Sequence, residues 1–260
     1  MLETPRPSLI KYPETDGQPM TESDATRAYL IYCISALRLF FQSRPQVYVS
    51  GNLFIYYEEG KPQKSISPDV FVIFGVNKRE RRSYKTWQEG GKLPSFVLEI
   101  TSLSTQKQDE EIKPKLYASL EIPEYFQYDP TGDYLPSQLK GQRLVNGQYE
   151  PIAPETLADG SLSLHSQKLG LDLRLLPPQA PLAIAHLLPI ARELRLFDPQ
   201  SGAQLLTYEE AEQARLNAEQ KIADLQTQSA EAQAQQKAAE QQLAELRDKL
   251  RSHGIDPDTL

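Results

Sequence analysis

An α/β fold is predicted, on three observations. Two nearly continuous apolar runs, Asp69–Phe74 and Phe96–Ile100, read as strands covered on both faces. Helical stripes occupy Ala25–Phe41 and Asp109–Leu120, and the second of these leads into another strand-like run, Glu124–Tyr128. From about Tyr208 the composition turns to Ala, Gln, Glu, Leu, Lys and Arg, with no Gly or Pro until Gly254, which predicts one long helix.

The elements follow in order. Residues 1–20 are Pro-rich and read as an arm. Thr21 or Ser23 can cap the first helix, with Glu22 and Asp24 in its first turn. Its apolar stripe is Ala28, Tyr32, Ala36, Leu37, Phe40 and Phe41, and Arg44-Pro45 ends it. Val47–Val49 and Leu53–Tyr57 are strand-like around Gly51-Asn52, a bulge or a turn. Residues 58–67 read as a polar loop. Residues 77–92 read as a basic, irregular one, with Lys78, Arg79, Arg81, Arg82, Lys85 and Lys92 around Tyr84 and Trp87. That loop is either solvated and pinned by its aromatic pair or a contact for phosphates.

On the Asp109–Leu120 stripe, Ile112, Leu116 and Leu120 repeat at four, with Lys113 and Tyr117 beside them. Residues 131–200 look all-β, with an Asn146-Gly147 hairpin in Arg143–Glu150 and strands at Leu169–Leu175 and Leu194–Phe197. Three regions result: an arm over 1–20, a globular domain over 21–200 (core about 21–130, β-rich extension 131–200), and a helix over 207–252. In that helix Ile222, Leu225, Leu243, Leu246 and Leu250 fall on a heptad seam whose middle is small or polar. Residues 208–250 either self-associate as a coiled coil or stand as a solvated helix held by charge pairs.

The net charge of −7 argues against a wide electrostatic footprint for nucleic acid, though not against a small one. A single cysteine, Cys33, allows no disulfide within one chain and reads as a buried thiol. No apolar run reaches the ~18 residues of a membrane span, and no signal peptide is recognisable. A soluble, cytoplasmic protein with no membrane partner is the expectation. His165, His186 and His253 lack zinc-ligand spacing, no glycine-rich phosphate loop is present, and Ser102 and Ser104 have no nearby histidine.

Asp69 and Glu99 each lie in or beside a strand that otherwise reads as buried. An ionised carboxylate there is costly unless paired or metal-bound. Two of them on neighbouring strands suit a hard divalent cation, Mg²⁺ before others; the plainer alternative is a pair of strand termini. Lys113 shares a helical stripe with Tyr117 and can face the sheet. It would orient a water or neutralise charge on a phosphate, or simply form a salt bridge with Glu99 or Asp69. Pro114 directly follows it, which a helix tolerates only in its first turn.

The order Pro68-Asp69, Glu99-x-x-Ser102, Lys113 four residues before Tyr117, Pro123-Glu124-Tyr125-Phe126 and Asp129-Pro130 resembles a bacterial family. It is the "putative restriction endonuclease" family of the PD-(D/E)xK nuclease superfamily. The match covers roughly residues 12–130. Tyr12-Pro13, Asp16-Gly17, Pro19-Met20, Tyr48–Asn52 and the C-terminal Glu/Ala/Leu-rich coil resemble one branch of it.

The resemblance implies a restriction-endonuclease-like αβββαβ core, here with extra β-hairpins and a long C-terminal helix. It implies catalytic Asp69, Glu99 and Lys113, with Asp69, Glu99 and the Ile100 carbonyl as ligands of Mg²⁺ or Mn²⁺. Glu22 and Ser102 are implied as accessory residues. The superfamily's lysine normally stands two residues after the second acid, where this chain has Thr101; the family places it on the next helix. The activity implied is metal-dependent endonucleolytic cleavage of DNA. The rival is a nuclease-fold protein that does not cut and serves as an oligomerising or partner-binding module through its coil.

Overall fold

The computed structural model describes residues 11–13, 23–102, 105–178, 184 and 190–253. Glu22, Ser104, His186 and most of the 1–20 arm lie outside them. The chain divides into two compact units, 1–208 and 209–260.

In the first unit come α1 (Asp24–Phe40), β1 (Val47–Ser50), β2 (Ile55–Tyr56), β3 (Ser65–Ile66), β4 (Val70–Phe74) and β5 (Tyr84–Lys85). Next are β6 (Phe96–Ile100), α2 (Lys113–Ser119), β7 (Glu124–Tyr128), β8 (Leu139–Val145) and β9 (Gln148–Pro151). Then follow β10 (Glu155–Thr156), β11 (Leu162–Ser166), β12 (Leu171–Leu175) and β13 (Leu194–Phe197). The second unit is built on α3 (Tyr208–Ser252).

The main sheet has six strands in the order β1-β4-β6-β7-β8-β9. Within it only β6 and β7 pair in parallel, and the crossover that a parallel pair needs is supplied through α2. The elements α1, β1, β4, β6, α2 and β7 therefore form the αβββαβ core. Ser23 caps α1, its hydroxyl accepting the Thr26 N–H at 3.1 Å.

Alternation along the strands sorts the core into two layers. Val47, Val49, Val70, Val72, Phe96, Leu98, Ile100, Phe126 and Tyr128 meet α1 and the four-stranded sheet β10-β11-β12-β13. Tyr48, Phe71, Ile73, Val97 and Tyr125 face the other way, toward Tyr117 of α2 and the small sheet β3-β2-β5. Both faces are covered, which is why the strands carry almost unbroken apolar runs. Cys33 is fully buried on the inner face of α1, and burial pushes its thiol up to about 12.

Several expectations change in detail. The 58–67 and 77–92 segments hold β3, β5 and a 3-10 turn, because their edges pair with β2. β10 and β11 are additional strands. The Asn146-Gly147 turn closes β8 onto β9 with both residues at positive φ, 50° and 80°. The Asp109–Leu120 segment is not one α-helix: residues 108–112 form a π-turn, and α2 starts at Lys113. Pro114 sits in the first turn of α2 and has no N–H to give. The Lys113 N–H bonds the Gln108 carbonyl, five residues back. The extra residue per turn rotates Ile112 out of the stripe, leaving it 56% exposed.

Gly51 is required by crowding. A Cβ there would lie 1.9 Å from the Asp69 carbonyl oxygen. The Asn52 N–H reinforces this approach by bonding the Pro68 carbonyl at 2.9 Å. Gly51→Ala should therefore destabilise the domain by about 1–3 kcal/mol and move the backbone at Asp69. Denaturant midpoints measure this; an unchanged midpoint would show that the loop yields freely.

Candidate active site

Because Val97 faces α2, so does Glu99, two residues on; Asp69 precedes Phe71 by two and takes the same side. The Ile100 N–H donates to Asp69 Oδ2 at 2.8 Å, and the Asp69 N–H points at Glu99 Oε2 at 3.4 Å. Glu99 is fully buried. The Tyr117 hydroxyl, one turn after Lys113 on α2, donates to its Oε1.

Lys113 Nζ stands 2.9 Å from Glu99 Oε2 and 2.7 Å from Asp109 Oδ1. The π-turn lets Pro114 follow Lys113 while its amine points at the sheet; Lys115 is exposed. Asp69, Glu99 and Lys113 thus belong to one cluster. The salt bridge anticipated for Lys113 is present on Glu99.

Asp109, absent from the sequence-derived set, is a full member. It is completely buried, its backbone carbonyl accepts the Tyr125 hydroxyl at 2.7 Å, and neither carboxylate oxygen has a hydrogen-bond partner among the described residues, Oδ1 meeting Lys113 as an ion pair and Oδ2 nothing. Its one sequence signal was an acid four residues before the lysine. Gln127 is in register with Glu99 on the next strand and is buried with both amide atoms unpartnered, as is the Thr101 hydroxyl.

Three carboxylates, Asp69, Glu99 and Asp109, surround a single ammonium. Burial first, and then the Glu99 charge, hold the Asp69 carboxyl well above its ordinary pKa, with Lys113 opposing. Burial works against the Lys113 charge, but Glu99, Asp109 and Asp69 outweigh it and raise the amine above the usual lysine range. Tyr117 is raised by burial and by Glu99, so it stays a donor. The excess negative charge, the all-oxygen donor set and the orphaned Asp109 Oδ2 fit a hard divalent cation. Among the described residues no three of His, Cys, Asp or Glu are placed to hold a metal ion together. Mg²⁺ needs no such trio, since it keeps waters and takes one or two carboxylates.

Other candidates have structural partners. The Ser102 N–H bonds Thr105 Oγ1 at 3.0 Å in a turn that opens the π segment. In the basic loop, Arg79 and Arg81 both pair with Glu89, and Arg81 lies 4.3 Å from the Tyr48 ring centroid. Lys78 donates to the Phe41 and Gln42 carbonyls, and Lys85 lies over Tyr12, whose ring also meets Trp87. Two of these cations pair within the loop and two tie it to the end of α1 and to Tyr12. Glu124 accepts from Ser166, Gln167, Lys168 and Arg143, anchoring the β11–β12 turn to the sheet. Asp129 accepts the N–H groups of Thr131, Tyr134 and Leu135.

The αβββαβ core is of the nuclease-like fold class and carries the acid–lysine cluster on one face of its sheet. The Uma2 family model, described as "Putative restriction endonuclease", matches residues 4–175, more than half of the chain, and the chain belongs to that family. Among solved structures, the chain is similar to one described as a putative nuclease belonging to DUF820 from Anabaena variabilis ATCC 29413. The TM-score is 0.40 and the identity 15%, over 60% of this chain and 81% of that one. No curated protein matches. No described helix is long and apolar enough to cross a membrane.

Proposed function

We propose that the protein is a metal-dependent endodeoxyribonuclease in which Asp69, Glu99 and the Ile100 carbonyl hold Mg²⁺ or Mn²⁺. The observation that carries this reading is the buried excess of carboxylate over ammonium at one face of the sheet. When bound, the cation supplies the positive charge that polarises a scissile phosphodiester and acidifies water. The chain's own residues do the rest. The Ile100 N–H orients Asp69, and the Tyr117 hydroxyl fixes Glu99. Lys113 offers charge to the phosphate oxygens as the phosphorus becomes pentacovalent.

Calorimetric titration with Mg²⁺ tests the reading, with Asp69→Asn as the control. Asp69 has a folded-state pKa above its unfolded one, so its contribution to stability is present at low pH and is lost as pH rises through the folded value. Replacing it by Asn should raise the melting temperature at neutral pH without added metal, while removing Mg²⁺ binding. Mg²⁺ binding of equal strength in both proteins would remove Asp69 from the ligand set.

The second unit supports an added role as an oligomerising arm. α3 spans 45 residues, about 70 Å of helix, with Ile222, Leu225, Leu243 and Leu246 each more than half exposed. Within the helix, Arg215 pairs with Glu212 and Glu219, and Gln213, Gln220 and Gln236 each bond a residue four ahead. We infer self-association through residues 208–250. Light scattering should give a dimer for the full chain and a monomer after truncation at Tyr208; a monomeric full chain would exclude the role.

A further inference from the structure

We propose that Asp109 is a positioning residue for Lys113, and that the π-turn at residues 108–112 is the device that aims the lysine. The proposal rests on the nuclease reading and deepens it. Asp109 and Glu99 hold the ammonium between them at 2.7 and 2.9 Å. Both are ion-pair contacts, and the lysine side chain remains 20% exposed, so the ammonium keeps donor capacity for a phosphate oxygen. The turn that delivers Asp109 is itself pinned. Its carbonyl takes the Tyr125 hydroxyl, and its N–H bonds the Thr105 carbonyl at 2.9 Å.

A merely structural pair would look different in this protein. Glu124 and Asp129 are also fully buried, and both oxygens of each are hydrogen-bonded. Among the described residues neither carboxylate oxygen of Asp109 accepts a hydrogen bond, and only Oδ1 meets the Lys113 ammonium, a costly arrangement if stability were its only task. π-Turns also recur at functional sites, where an inserted residue re-aims a side chain. Without Asp109 the ammonium would keep Glu99 as its one close ion-pair partner among the described residues, and its position would no longer be fixed from two sides.

The test compares Asp109→Asn in the wild-type and Lys113→Met backgrounds, using Mg²⁺-dependent cleavage and the Lys113 Nζ NMR signal of ¹⁵N-lysine-labelled protein. Melting curves report the fold, and Asp109→Glu is the conservative variant. In the wild-type background kcat should fall about 10²-fold with KM little changed, the scale of a misplaced catalytic group. In the Lys113→Met background the further loss should be less than about threefold. The Nζ signal should be lost or shifted in Asp109→Asn, with Asp109→Glu restoring part of the signal and the rate. Losses that multiply across the two backgrounds, or an unchanged Nζ signal, overturn the proposal. If wild-type protein does not cut DNA, the nuclease reading fails by itself, and the Nζ signal alone rules on the hold of Asp109 over Lys113.

Discussion

Replacing Glu99 by Gln should abolish metal-dependent nicking of supercoiled plasmid while the domain stays folded. Glu99 is the hub of the cluster: it takes the Tyr117 hydroxyl on one oxygen and Lys113 on the other. Gln keeps the shape and, with its oxygen at Oε1, an acceptor for Tyr117, while it replaces the charged oxygen facing Lys113 and the Asp69 N–H by an amide nitrogen. Lys113 keeps Asp109 as its counter-ion. Glu99→Ala is the poorer probe, because it strands a buried hydroxyl and weakens the lysine's hold, at a cost of up to about 3–5 kcal/mol. The expected loss of rate for Glu99→Gln is at least about 10²-fold, the scale of removing one electrostatic group from a transition state. Cleavage within a few-fold of wild type would end the assignment of Glu99.

The largest stability effect should come from Arg195→Met, far from that cluster in the fold. Arg195 and Glu193 form an ion pair of 2.9 Å in which each side chain is 1% exposed. Arg195 also donates to the Leu205 carbonyl, and its guanidinium lies 5.0 Å from the Tyr32 ring centroid. Tyr32 in turn donates to the Leu205 carbonyl and accepts the Leu196 N–H. The network ties α1 to β13. Removing the arginine takes the cation from the buried Glu193 carboxylate, which keeps the Ile184 N–H but not its counter-charge, and this should cost about 3–5 kcal/mol. For a domain of this size that is roughly 10 °C in melting temperature. Glu193→Gln combined with Arg195→Met should recover most of it, since an absent pair costs far less than a broken one. Calorimetric scans of the three proteins decide; a single-mutant shift of a degree or two would mean that the remaining donors to Glu193 suffice without the arginine.

Core strands were legible because both their faces are buried, which leaves apolar runs in which Asp69 and Glu99 stand out as misplaced charges. Asp109 carries no such contrast. In a stretch reading Gln-Asp-Glu-Glu, an acid near a helix start is ordinary, and only the hydrogen-bond register turns it inward. Pro114 signalled that something was irregular but could not say that the ladder would widen to five residues. Gln127 was hidden for another reason: a single amide within Glu124–Tyr128 looks like strand alternation. The basic loop was conspicuous in sequence because its cations are near one another, yet Glu89, the acid that engages two of them, is indistinguishable there from any other surface glutamate. Strands of two residues, such as β2 and β5, exist only through their partners and leave no periodic trace.

The sole parallel pairing in the main sheet has a kinetic consequence. Glu99, Asp109, Lys113 and Tyr117 all belong to the single crossover that joins β6 to β7, and Tyr117 reaches Glu99 across only 18 positions of chain. Asp69 reaches Ile100 across 31, from outside that crossover. Closing the shorter loop costs less entropy. The lysine-bearing half of the cluster can thus assemble as a local event, while its remaining acid arrives only when β4 docks.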